Sequence, residues 1–268
     1  MRAALKNILP EPVLNAYRNT RDSLQLAAEY PTARFHPWRR DSIKKLELLR
    51  NSHCGQRRVI IGNGPSLKVT DLSKLKHEFT FGMNRFYLAF AELGFLSSVL
   101  LTVNDLVIEQ CAQDLRSLPI PTFVSWRGRK YIQPAANLHY LYTSYIKPGF
   151  NGDAVGRLWV GATVTYIAIQ LAYYMGFKQV ILVGVDHNYT TKGTPNTTVV
   201  STGDDPNHFN PGYFGNGFRW QLPDLQTNEI AYQMAQEAYR RDGREILDAT
   251  VGGKLTVFPK VNFDSILS

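Results

Sequence analysis

The chain has 268 residues, 44% of them apolar and 19% charged, proportions that fit a soluble globular protein with a full buried core. Its 30 Lys and Arg exceed its 22 Asp and Glu, a net +8 that suits an anionic ligand or surface, or a basic face in water. Cys54 and Cys111 are the only cysteines and lie far apart, which argues against a disulfide framework and a structural zinc site.

The first 50 residues hold ten Lys and Arg against five acids. Within them Val13, Leu14, Tyr17, Leu24 and Leu26 recur at roughly helical spacing. Pro31 and the run His36-Pro37-Trp38 then interrupt, and Ser42 can cap a second helix through Leu49. Residues 1–55 therefore read as a basic helical extension. It is either an arm packed on the main domain or a segment making weak peripheral contact with a membrane or partner. No signal-peptide core and no run of about 18 apolar residues occurs, so the expected setting is the cytoplasm, with any peripheral contact at the inner face of the membrane.

From Arg58 onward, short apolar runs alternate with helical segments. Val59-Ile60-Ile61 is a buried-strand run, and residues 79–83 and 98–103 form two more. A helix is predicted over 106–115, weaker strands over 122–126 and 138–142, and a buried helix over 163–175, stopped by Gly176. Residues 180–185 make the strongest strand. A helix over 224–241 and a last strand over 245–247 follow. Apolar strands bounded by helices imply parallel pairing with helices on both faces, so residues 56–268 form one α/β domain with a doubly wound, mostly parallel sheet.

One regularity points to a site. Asn63, Asn84, Asn104 and Asp186 each directly follow an apolar strand. In an open parallel sheet the carboxyl ends face one crevice, where ligands sit, so these four side chains are expected to converge. The alternative is that they are ordinary turn and cap residues. Gly62-Asn63-Gly64-Pro65-Ser66-Leu67 opens the first crossover. Its glycines allow close backbone approach to a ligand, and its N–H groups can hold a phosphate. It lacks the third glycine of a dinucleotide fingerprint and the lysine of a P-loop.

This series, together with Gly184-Val185-Asp186 after a buried helix and strand, resembles bacterial sialyltransferases of the Campylobacter type. With Asn207-His208-Phe209, Pro211-Gly212-Tyr213-Phe214 and residues 249–255, it also resembles the broader DUF115 family. That family includes MptE-like and flagellin-modifying glycosyltransferase-like proteins. The resemblance spans residues 57–260 and implies a Rossmann-like, GT-A-related fold. It also implies a glycosyltransferase that moves a sugar, a nonulosonic acid of the sialic type, from a nucleotide-activated donor of the CMP-sugar kind to a glycan or protein acceptor.

The resemblance assigns donor contacts to Asn63, Asn84 and Asn104 and sets Gly161 and Thr163, at the start of the buried helix, in the donor pocket, where the helix N-terminus favours anions. Gly62, Gly64, Pro65, Ser66 and Gly184 belong to the strand-end turns expected to frame the nucleotide. The base that takes the acceptor proton would be His208 or His187, with Asp186 orienting a partner or hydroxyl. The chain departs from the sialyltransferase pattern: no second histidine follows His208-Phe209, and Asn188 stands where a supporting tyrosine is expected, with Tyr189 next.

Residues 188–222, rich in Asn, Gly and aromatics, read as a lid whose rings and Arg219 hold the ligand, or as a loop packed on its own rings. No resident cofactor or metal is implied by the transferase reading. Two alternatives remain open: a pterin-type diphosphokinase using ATP and Mg²⁺, and a non-catalytic nucleotide- or glycan-binding protein. Nothing resembles a nucleic-acid-binding motif.

Overall fold

The computed structural model describes residues 11–266. Helix α1 (Glu11–Phe35) runs straight through Pro31, where an interruption was expected. Pro31 is exposed, so water can satisfy the carbonyl that its missing N–H leaves free. The break comes at His36 instead. Its Nδ1 accepts the Trp38 N–H at 3.3 Å and caps α2 (Pro37–Leu49), with Pro37 in the first turn, where no N–H is needed. Ser42 is therefore not the cap. It lies inside α2, where its hydroxyl accepts the Tyr140 N–H at 2.9 Å. The remaining basic residues of the extension, Arg2 and Lys6, lie outside the described residues.

Eleven strands follow: β1 (Arg57–Ile61), β2 (Thr80–Met83), β3 (Val99–Thr102), β4 (Thr122–Ser125), β5 (Leu138–Leu141), β6 (Thr143–Ser144), β7 (Leu158–Trp159), β8 (Gln179–Val183), β9 (Thr198–Val200), β10 (Arg219–Gln221) and β11 (Glu245–Asp248). Seven of them build one sheet in the order β11-β8-β1-β2-β3-β4-β5, every pair parallel. Both faces of this sheet are buried, which explains why its strands read as continuous apolar runs. β6 pairs with β7 and β9 with β10 as small separate ribbons, and the β9–β10 ribbon lies within the segment read as a lid.

The chain walks outward from β1 to β5, then returns to place β8 on the other flank of β1. Strand order thus reverses between β1 and β8, which is where an open α/β sheet opens a crevice.

Beyond α3 (Phe90–Leu93), the helix expected over 106–115 is two short ones, α4 (Asp105–Gln110) and α5 (Ala112–Ser117), meeting at Cys111. Helices α6 (Val164–Tyr174) and α7 (Leu225–Arg241) cover one sheet face, and the Tyr239 hydroxyl of α7 donates to the Ile169 carbonyl of α6 at 2.8 Å. The other face is covered by Leu67, Leu72 and Leu75 from two 3-10 turns and by Val107, Ile108 and Leu115 from α4 and α5. A final short helix is α8 (Phe263–Ile266).

α2 packs against β5, and its Leu46 is fully buried in the same core as Ile60 and Leu182. Before α8, the chain covers the opposite flank of the sheet: the Asp248 N–H donates to Pro259 O and the Val261 N–H to Asp248 O.

Leu46→Ala should lower unfolding free energy by about 2–5 kcal/mol in a single cooperative denaturant transition. A loss under about 0.5 kcal/mol would mean that α2 is an appendage and not part of the core.

Candidate active site

The four strand-end residues do converge. Asn63, Asn84, Asn104 and Asp186 all line one cleft at the carboxyl ends of β1, β2, β3 and β8, with a volume of about 180 Å³. Each is held by a different local device.

Asn63 follows β1 and is 7% exposed. Its Nδ2 donates to the Met83 carbonyl at 3.1 Å, while its Oδ1 has no partner within the protein. A buried acceptor without a donor is costly, so this oxygen asks for an N–H or O–H from a ligand. Asn84 sits at φ +50°, a left-handed conformation that Asn tolerates, and its Oδ1 accepts the Thr102 hydroxyl at 3.1 Å. Asn104 is the N-cap of α4: its Oδ1 accepts the Leu106 N–H at 2.9 Å, which leaves the amide N–H groups to the cleft. For this residue the cap and the cleft readings both hold.

The Gly-Asn-Gly turn works differently from its sequence expectation. A Cβ on Gly62 would lie 2.1 Å from the Gly184 carbonyl, and one on Gly64 would lie 1.8 Å from Asp186 Oδ2. The absent side chains make room for the end of β8 and not only for a ligand. The N–H groups are engaged too: Gly62 donates to Val183 O at 2.7 Å, Gly64 to Gly184 O at 2.9 Å, and Leu67 to Gly64 O. Ser66 donates its N–H and hydroxyl to the two oxygens of Asp186 at 3.0 and 2.7 Å. With Pro65 lacking an N–H, this turn is not an open phosphate cradle.

Asp186 is correspondingly a positioning residue. Burial raises its pKa, the Ser66 bonds pull it back, and the charge of Asp248 adds to the rise. Gly62, Gly64 and Gly184 line the cleft, whereas Pro65, Ser66 and Gly161 stand behind its wall.

The far wall is the start of α6. Gly161 and Ala162 have φ of +57° and +59°. Asn228 of α7 holds this bend, its amide nitrogen reaching the Gly161 and Ala162 carbonyls at 3.0 and 3.2 Å. Thr163 caps the helix by accepting the Thr165 N–H at 3.2 Å. The N-terminus of α6 thus opens onto the cleft beside Asn63 and Asn84.

Residues 188–222 form the roof, and they are pinned. The Phe209 N–H donates to Asn63 O at 2.8 Å, and the Arg85 guanidinium donates to the carbonyls of Gly212 and Tyr213. Phe214, Trp220 and His208 line the cleft, and Phe214 stacks on Phe218 and Trp220. The loop packs on its own rings and covers the cleft at once. Arg219 does not face the ligand space; it pairs with Glu109 at 3.1 Å.

Both histidines expected as bases line the cleft, and their surroundings separate them. The His187 Nε2 meets Glu229 Oε1 at 2.9 Å, but that carboxylate is 50% exposed. The His208 Nδ1 meets Asp205 Oδ2 at 2.7 Å, and Asp205 is only 4% exposed. Asp205 also accepts the N–H groups of Asn207 and Phe214, and the His208 ring stacks on Tyr213 at 4.1 Å. Burial pushes the Asp205 carboxyl up, yet the bond and charge of His208 and these N–H groups outweigh it and hold it below its ordinary value. Fixed through Nδ1, His208 has Nε2 left for chemistry, the arrangement of a base oriented by a buried carboxylate.

Sequence reasoning missed Asp205. Its only signal was an aspartate three positions before His208. Among the described residues Asp186 is the only carboxylate in the cleft lining, and no three His, Cys, Asp or Glu side chains gather to hold a metal ion.

Fold and cleft together define a Rossmann-like α/β protein with a cleft at the β1/β8 switch point, lined by amides and by a histidine paired with a buried aspartate. By sequence the chain belongs to the family described as 6-hydroxymethylpterin diphosphokinase MptE-like, whose model matches residues 38–192. None of the curated proteins matches it. Among solved structures it is similar to the MAf glycosyltransferase from Magnetospirillum magneticum AMB-1, at 13% identity and a TM-score of 0.49. That likeness covers 84% of this chain but 38% of the other, so this chain spans well under half of that protein.

Gly62→Ala should destabilise the fold by several kcal/mol, about 2–4, because the new methyl meets backbone and not a movable side chain; a melting temperature within about a degree of wild type would contradict this packing. Asp205→Asn tests the dyad by pH. The depressed carboxyl contributes stability above its unfolded value near pH 4, and that contribution is lost as pH falls through the folded value. The variant should melt below wild type at neutral pH and converge with it as pH falls below the ordinary carboxylate range; a constant gap would refute the linkage.

Proposed function

We propose that this chain is a glycosyltransferase-like enzyme that moves a sugar from a nucleotide-activated donor to a hydroxyl of a glycan or protein acceptor. The observation that carries the reading is His208, held by buried Asp205 in a cleft lined also by the amides of Asn63, Asn84 and Asn104, by a helix N-terminus, and by Asp186 and His187. His208 Nε2 takes the acceptor hydroxyl proton as its oxygen bonds to the anomeric carbon, and the bond from that carbon to the donor phosphate breaks. Charge growing on the departing phosphate is met by the amides of Asn84 and Asn104 and by the N-terminus of α6. Asn63 Oδ1 accepts from a ribose hydroxyl or a nucleobase amino group.

A nonulosonic acid from a CMP-type donor fits this wall, since its carboxylate can also use the α6 N-terminus. A cleft of about 180 Å³ is below the roughly 300 Å³ usual for ligand sites, so donor entry requires the 188–222 roof to lift, as a lid does.

The family description favours a second reading, pyrophosphate transfer from ATP. That chemistry needs Mg²⁺ near the phosphates. The residues present offer little to a carboxylate-held ion: among the described residues Asp186 is the one carboxylate in the lining, it already accepts two bonds from Ser66, and no three potential metal ligands gather.

A thermal-shift panel of CMP, UMP, GDP and ATP, with and without Mg²⁺, decides between the readings. Stabilisation by a nucleotide without metal is expected, with Asn63→Ala weakening it about tenfold. His208→Ala should retain donor binding and lose about 10²–10⁴ in turnover. Stabilisation by ATP only with Mg²⁺, or wild-type turnover without His208, would overturn the transferase reading.

A further inference from the structure

α1 carries an outward apolar stripe. Val13, Tyr17, Leu24 and Phe35 are 48%, 58%, 66% and 66% exposed. At 3.6 residues per turn they fall within about 40° of one another around the helix, so the stripe runs along its length on one side. Nothing among the described residues covers it.

Further round α1, roughly 80–160° from the stripe, the helix and the body of the protein enclose a groove of about 550 Å³, with Leu26, Tyr30 and Arg34 on one wall and Tyr142, Val155 and Arg157 on the other. Its charges do not balance. Arg34 makes no ion pair among the described residues, and the Arg157 guanidinium donates only to the carbonyls of Ile146 and Lys147. Behind Val155 lies Arg39, fully buried: Nη2 donates to the Val155 carbonyl at 2.7 Å, while Nε and Nη1 have no partner. Burial, then repulsion from Arg34, brings Arg39 down to about 10. The one carboxylate in the groove, Asp153, already accepts from Arg50 at 3.1 Å and from the Val155 N–H at 3.0 Å. Two guanidinium groups in the groove and one behind it thus face a single carboxylate, Asp153, whose charge only partly offsets the burial of Arg39 and which Arg50 already engages. Arg39 alone is fully buried, and its unpaired N–H groups are expensive there, whereas Arg34 is exposed and Arg157 half-buried, so both remain open to a ligand.

We propose that α1 docks on an anionic phospholipid bilayer, with its apolar stripe in the interfacial layer and a lipid phosphate in the arginine groove. Apolar side chains on one helix face and arginines further round it are the two parts that interfacial binding uses, and the chain's net +8 has the complementary sign. This proposal does not rest on the transferase reading.

The test is co-sedimentation of the full chain with vesicles of phosphatidylcholine mixed with phosphatidylglycerol, against pure phosphatidylcholine, at low and high salt. Binding to the mixed vesicles at low salt is expected, falling with added salt. Arg34→Ala should reduce partitioning about tenfold, and Leu24→Glu with Phe35→Glu should do likewise, with melting temperatures unchanged. Undiminished vesicle binding by the arginine variant would overturn the groove. So would stabilisation by inorganic phosphate without vesicle binding, which would make it a soluble-anion site. Self-association that Leu24→Glu abolishes, again without vesicle binding, would assign the stripe to a second copy of the chain.

Discussion

The site depends on how closely the ends of β1 and β8 approach each other. A parallel pair can bring two strand ends into one crevice only if the backbones leaving them do not collide. Here Gly62 and Gly64 give up the volume that the Gly184 carbonyl and the Asp186 carboxylate then occupy. Asp186 fixes the result by holding Ser66 through both of its oxygens. Once that clamp is set, Asn63 is aimed into the cleft, and the Phe209 N–H can bind the Asn63 carbonyl and bring the roof down with His208.

A chemical character follows from this construction. Strand ends and helix starts supply amides and hydroxyls, because Asn, Thr and Asp are the side chains that satisfy turns and caps. Asn104 and Thr163 do both jobs, each capping a helix while facing the cleft. The result is a rigid, neutral wall, rich in hydrogen-bond donors, whose one carboxylate is already engaged. Under the proposed reading, such a wall meets anionic charge developing on a ligand and leaves proton transfer to the roof, where the His208–Asp205 pair sits.

Much of this was legible in the sequence. Parallel strands buried on both faces write themselves as continuous apolar runs, and β1, β2, β3 and β8 lay where those runs were. The convergence of residues 63, 84, 104 and 186 followed from a general property of open sheets. What escaped depended on contacts between distant segments. The Gly62–Gly184 approach joins positions far apart in the chain, so the glycines read as a ligand loop when their first duty is to each other. Asp205 looked like one more polar residue in a polar stretch until the fold buried it under Phe214 and beside His208. Pro31 and Ser42 misled for a local reason. A helix tolerates an exposed proline, and the better cap, His36, is not among the usual capping residue types.

The flanks of the sheet carry a last consequence. At one margin the Ser42 hydroxyl takes up the Tyr140 N–H of β5, and at the other Pro259 and Val261 occupy the hydrogen-bonding groups of Asp248 in β11. Outer strands left bare are templates on which further chains can polymerise. With both margins occupied, this sheet is hard to lengthen by adding strands from a neighbour. Higher-order association would then have to run through helix surfaces, which keeps the growth of the fold finite.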